Sequence, residues 1–269
     1  MSAQPRTPAT RGIAFDVGSA AAEFARGAWE LYSVFARTLY FIAKGKREKG
    51  ATAAQMYAIG NKSLAFMTIT MGFIGMIMVY QAGLQTQRIL PDFTLLGATF
   101  LELLVRDLAA SIGALMLATR VGAGIAAEIG SMVVTEQIDA LRMCAADPID
   151  FLVKPRFLAS LVMTTALIVW AGAVAFAAGG ATAYFAFDVP WRTFANLQLV
   201  DAGDLITGLT KCVAYGGAIP IISAYCGLST FGGSEGVGWA TTRAVVSSSL
   251  AIIALNFFIS AAALVVFPK

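Results

Sequence analysis

Four runs of this chain carry no charge at all: Ser63 to Gln87, Phe157 to Phe187, Cys212 to Ser234 and Ala244 to Pro268. Each supplies the ~20 apolar residues with which a helix crosses a ~30 Å hydrocarbon core, and a helix satisfies its own backbone groups where no water is at hand. The chain is therefore read as an all-α integral membrane protein. Composition agrees, since 58% of the 269 residues are hydrophobic and 13% charged, against about 25% charged in a soluble domain. The net charge of +3 is small, and no basic stripe with interleaved aromatics points to nucleic acid.

A fifth span is expected over 93–127, where an apolar pattern carries Glu102, Arg106, Asp107 and Arg120. Spans are thus expected near 63–87, 93–127, 157–187, 205–230 and 244–267. An odd number of crossings is what places the polar segments sensibly. Lys44, Lys46, Arg47 and Lys49 precede the first span, and an excess of Lys and Arg marks cytoplasmic flanks. The N-terminus is then cytoplasmic, as are the segment Glu128 to Arg156 and the loop Phe231 to Arg243. Asp188 to Asp204 and the C-terminus lie outside.

Ahead of the first span, Phe24, Ala28, Leu31, Phe35, Leu39 and Ile42 recur every three or four residues, with Glu23, Arg26, Glu30 and Arg37 opposite. This amphipathic helix, with its basic flank filling 13–50, is too charged to cross. Trp29, Tyr32 and Tyr40 suit a helix lying among the headgroups; the alternative is a cytoplasmic helix packed on protein. Asp16, Glu23 and Arg26 interrupt any signal-peptide core, and residues 1–12 read as a disordered tail. Residues 51–269 form the membrane domain.

Ionisable groups inside a membrane tend to face a cavity or a partner. Glu102 and Arg106 are spaced to pair at i, i+4, Asp107 stands beside them, and Lys211 enters the fourth span needing a carboxylate, which Asp107 or Glu102 would supply. They form either a polar collar along a lipid or ion path or a structural knot between helices. Pro220 should kink or break the fourth span. The glycines of the spans, Gly75 and Gly216 among them, allow close helix approach. Cys144, Cys212 and Cys226 lack metal-ligand spacing, and the chain has no His; no metal site is expected.

The segment from Ala127 to Arg156, AEIGSMVVTEQIDALRMCAADPIDFLVKPR, interrupts the apolar sequence with a compact polar helix over about 128–147. It starts near Gly130 or Ser131, pairs Asp139 with Arg142 at i, i+3, and stops at Asp147 and Pro148. This segment, extended to Phe157, resembles the MlaE/YrbE permease family, the membrane subunits of ABC lipid importers or exporters that work with MCE proteins. Two more elements share the resemblance: ATTRAVVSSSLAIIALNFF from Ala240 to Phe258, and LLVRDL from Leu103 to Leu108. The last departs from the family pattern, with Asp107 where Glu is usual and Leu108-Ala109 replacing a Gly-Pro pair.

The resemblance implies a bacterial inner-membrane permease of five spans plus the amphipathic helix, paired with a second copy as a homodimer or with a related permease as a pseudo-dimer. Its polar helix would be the coupling helix that docks on an ABC ATPase, with Glu128, Thr135, Glu136, Asp139, Arg142 and Asp147 as contacts. An MCE-domain partner outside and a STAS-domain protein on the ATPase complete the set. No G-x-x-x-x-G-K-[ST] loop occurs in the chain, so ATP belongs to the partner and no cofactor or catalytic residue is expected here. The transported lipid, a phospholipid or similar amphiphile, would pass Phe66, Met67, Met71, Phe73, Ile74 and Met78, with Glu102, Arg106, Asp107 and Lys211 on its path. The competing class is an ion-coupled transporter or channel using those four charges as a relay, but no repeat of the kind such transporters carry is visible.

Overall fold

The computed structural model describes residues 13–44, 50–89, 93–196 and 198–267. The expected tail over 1–12, Lys46, Arg47 and Lys49 lie outside them, as do the side chains of Glu23 and Phe24. The described residues fold into eight helical elements: α1 Ile13–Lys44, α2 Ala51–Ile89, α3 over 96–134, α4 Gln137–Met143, α5 Ile149–Phe187, α6 Trp191–Phe194, α7 Ala202–Leu228 and α8 Gly233–Val266. Four of them, α2, α5, α7 and α8, are long and apolar enough to cross a membrane.

The element expected as the second span, α3, is a composite rod. Its α-helical stretches Leu96–Leu103, Ala109–Leu117 and Ala123–Val134 are joined by π-helical segments Leu104–Leu108 and Ala118–Gly122. π insertions are rare and gather at functional places, and the first of these carries Arg106 and Asp107. At about 1.5 Å per residue the rod is as long as the apolar helices beside it.

Local chemistry sets the helix ends. Gly50, at φ 108°, precedes α2. In α7, Asp201 and Asp204 form a reciprocal capping box, satisfying amide groups that a helix start leaves open. Pro155 sits in the first turn of the regular part of α5, where its missing N–H is harmless. At the far end of α5, Asp188 turns left-handed at φ 53°. The helix α7 continues through Pro220 as one element instead of breaking there.

Two boundaries differ from expectation. The last span starts at Gly233, so the expected loop from Phe231 to Arg243 consists mainly of the first turns of α8. Gly232 and Gly233, at φ 87° and 74°, reverse the chain in a few residues that other side chains would strain. The polar segment 128–147 is not one helix. The rod runs on to Val134, the chain turns at Glu136, and α4 is a separate short helix.

Of the four apolar helices α7 is the most buried; it touches α3, α5, α8 and α1. The most extensive pairing is α2 with α5, where Met67, Met71 and Val79 are fully buried and the Trp170 indole donates to Thr68 Oγ1 at 3.0 Å. By contrast α8 exposes Leu250, Ile253, Phe257, Phe258 and Leu264, as a helix bathed in hydrocarbon can. The helix α1 lies against α7 and the start of α5. It is anchored by Val34 and Thr38, both buried, while Ala28, Phe35 and Leu39 of the expected apolar face are exposed. Thr38 tolerates burial because its hydroxyl donates to the Val34 carbonyl at 2.7 Å.

Gly75 lets α2 and α5 meet backbone to backbone, for a Cβ there would run into the Ala175 carbonyl. Replacing Gly75 with Val should force the two helices apart and destabilise the protein by about 1–3 kcal/mol, the usual penalty of overpacking. Thermal unfolding of the detergent-purified variant, followed by loss of the monodisperse peak, reads this directly. A midpoint equal to wild type would refute the contact.

Candidate functional site

Two charged features stand out against the apolar bulk: a collar between α3 and α7 and a turn between α3 and α5. The collar begins in the first π segment. Asp107 Oδ1 accepts from Lys211 Nζ of α7 at 2.6 Å and from the Ser111 hydroxyl at 3.2 Å. Arg106 pairs with Asp204 of α7 at 3.5 Å, a partner absent from the sequence reading. Tyr215, one turn beyond Lys211, donates to Asn256 Oδ1 of α8 at 3.1 Å. Three helices are thereby tied by polar contacts, and the carboxylate that Lys211 requires is Asp107. Glu102 lies a turn earlier, partly buried.

Burial is divided unequally in the central pair. The Lys211 side chain is 1% exposed and that of Asp107 43%. The ammonium is thus sealed among helices and its counter-ion forms the open edge.

An apolar cleft of about 420 Å³ lies between α3, α5 and α7, lined by Leu104, Val105, Ile168, Phe176, Leu209 and Cys212 among others. The six first-span candidates do not line it. Met67 and Met71 are sealed in the protein, Ile74 packs partly buried on the core, and Phe66, Phe73 and Met78 point outward from α2. Alternation of apolar residues gave no sign of this cleft, because its walls come from three separate helices. The small residues Gly172 and Gly208 that open it were the available signal.

At the turn, Thr135 ends the rod with its hydroxyl on the Ser131 carbonyl at 2.8 Å, and Glu136 reverses the chain at φ 59°. Helix α4 is held to the body by Ile138, which is buried. Its outer side shows Asp139 and Arg142, paired at 3.1 Å with both side chains more than 60% exposed, and Met143 beside them. Ala145 turns left-handed at φ 57°. Asp147 then accepts the Ile149 amide at 2.9 Å, so it starts α5 rather than only stopping the helix before it. The base of the turn is closed by Glu128 and Arg156 at 3.0 Å, and Lys154 pairs with Asp150 at 2.7 Å. The coupling candidates Glu128, Thr135, Glu136, Asp139, Arg142 and Asp147 are thus all exposed and cluster at one end of the bundle.

The family model for the permease MlaE matches residues 52–262, a stretch that holds the collar, the cleft and the turn. The chain belongs to the MlaE permease family. A probable ABC transporter permease protein of Synechocystis is 38% identical over 221 residues, covering 81% of this chain and 84% of its own. One of Rickettsia conorii is 33% identical over 252 residues, covering 92% and 96%. The intermembrane phospholipid transport system permease protein MlaE of Haemophilus influenzae is 33% identical over 224 residues, covering 77% and 80%. A protein of this family with four helices fit to cross a bilayer is a membrane protein, and the family expected from the charged segment is the one found.

A buried ion pair resists the loss of one partner more than the loss of both, by about 3–5 kcal/mol against a near-neutral change. Asp107→Asn, which strands the sealed Lys211 ammonium, should therefore destabilise strongly, and combining it with Lys211→Met should recover most of the loss. Glu102→Gln should add independently of Lys211→Met. A double-mutant cycle on thermal stability in detergent checks both, and additivity of Lys211 with Asp107 would rule out the pair.

Proposed function

We propose that this chain is the permease subunit of an ABC transporter that moves phospholipid, or a similar amphiphile, between its membrane and an MCE-domain partner. ATP would be hydrolysed by a separate subunit. The observation that carries the reading is α4, a short helix with an exposed charged side, hung between two long helices at the edge of the membrane domain. A soluble motor needs such a handle. The family and the name of the Haemophilus relative support the cargo.

In this reading α3 is the fifth crossing, and its charges are tolerated because Arg106 and Asp107 find partners on α7. Lys44 and the basic residues after it keep the N-terminus in the cytoplasm. The charged turn then also faces the cytoplasm, while α6 and the C-terminus face outward. α1 rides in the headgroup layer with Trp29, Tyr32 and Tyr40 turned away from the protein. A second copy of the chain pairs with this one, and a STAS-domain protein sits on the ATPase. Lys211 and Arg106 each close an ion pair across helices, an arrangement that braces the bundle.

Reversing the outward charges tests the handle. Glu136→Lys with Asp139→Lys should weaken ATPase capture, because charge at the rim of an interface steers association, while the variant still inserts and purifies. Capture of the co-expressed ATPase at wild-type yield would sink the docking role. Topology has its own test. Cys144 is exposed while Cys212 and Cys226 are buried, so an impermeant thiol reagent should label the native protein only from the cytoplasmic side. Arg192→Cys in a Cys144→Ser background should be labelled from the outer side, and the opposite pattern would invert the topology.

A further inference from the structure

The two ends of the charged turn are joined by one contact whose geometry is half used. Arg156 is 7% exposed. Its Nη1 donates to the Leu152 carbonyl at 2.9 Å, which fixes the guanidinium to the start of α5, and its Nη2 donates to Glu128 Oε2 at 3.0 Å. Its Nε is buried and makes no hydrogen bond. The Glu128 side chain is 61% exposed and gives one oxygen to the pair. A guanidinium presents Nε–H and one Nη–H side by side, matched to both oxygens of a carboxylate. The present contact is therefore the open setting of a clasp that has a tighter one.

The position of the clasp gives it a use. Glu128 stands near the end of α3 and Arg156 near the start of α5, with the whole of α4 in the loop between them. α4 itself has one buried side chain, Ile138, and left-handed residues on either side of it. A push on α4 would be lost in bending of the turn unless its base were held.

We propose that Arg156 is a positioning residue for energy coupling: with Glu128 it clasps the base of the turn, and the clasp closes to a two-point grip when a partner covers Glu128. Covering removes the water that competes for the carboxylate, and an ion pair strengthens as the local dielectric falls. Movement of α4 then reaches α3 and α5 as a single body. The inference rests on the transport reading given above.

The test uses the permease with its ATPase and MCE-domain partner in liposomes of phosphatidylethanolamine and phosphatidylglycerol, at saturating ATPase. Glu128→Gln, Arg156→Gln, Arg156→Lys and the double Gln variant are compared with wild type. The first readout is lipid transferred per ATP hydrolysed, and the second is the mobility of a spin label on the native Cys144. In each single Gln variant the transfer ratio should fall on the order of tenfold, the scale on which residues along a coupling route act, and the label should loosen. The double variant should be no worse than the worse single one. Arg156→Lys keeps the charge but lacks the Nε donor, and should recover only part of the ratio. An unchanged ratio beside an active wild type, additive losses, an unmoved label, or full recovery with lysine would each overturn the clasp. Glu128→Gln, on an exposed side chain of equal shape, keeps the test decisive if Arg156→Gln misfolds. A wild-type complex that hydrolyses ATP and moves no lipid would overturn the transport reading itself, and the coupling role with it.

Discussion

Hydrocarbon cannot solvate an ammonium group, and Lys211 places one inside the most buried of the apolar helices. That constraint orders much of the bundle. The carboxylate must come from a neighbouring helix at the same depth, so the contact with Asp107 fixes both the height and the rotation of α7 against α3. With α7 set, Tyr215 meets Asn256 on α8 and Asp204 meets Arg106. Apolar packing alone discriminates poorly between helix rotations in lipid, because hydrocarbon tails are as apolar as leucine. Directional polar contacts supply what packing leaves undetermined.

The same logic explains why the glycines matter where they do. The charge-free stretches Ser63 to Gln87 of α2 and Phe157 to Phe187 of α5 offer no ion pair to each other, and fit there depends on shape. Gly75 against the Ala175 backbone, with Met67 and Met71 filling the sides, gives that pair a close approach which larger residues would forbid. Close backbone contact fixes one flank of α5, while α7 combines such contact, at Gly208 against the Val105 carbonyl, with ion pairs.

Much of the architecture was legible in the sequence because lipid imposes a simple rule on length and charge. Runs such as Phe157 to Phe187 announced their helices, and the order of residue types around Glu136 and Asp139 announced the family. The partner of Lys211 was narrowed to two carboxylates and no further, since the choice depends on the rotation of α7. The Arg106 contact was missed for a related reason. The i, i+4 rule compares residues of one helix, and Asp204 belongs to another. The break at Glu136 was missed because a glutamate rarely adopts a left-handed backbone, so nothing in its identity marks a turn. The cleft between α3, α5 and α7 was out of reach for any one-helix pattern.

The π segments have a further consequence for how such a chain can vary. Each holds one residue more than an α-turn of equal rise, so its removal would leave an ordinary α-helix of almost unchanged length. The faces on either side would keep their bearing as well, because a π-turn and an α-turn each complete one circuit of the axis. What would change is the segment itself, where Asp107 would lose the widened turn from which it meets Lys211. A residue gained or lost elsewhere in a membrane helix shifts both depth and facing; at these two places in the rod it could come or go with the rest of the helix left where it was.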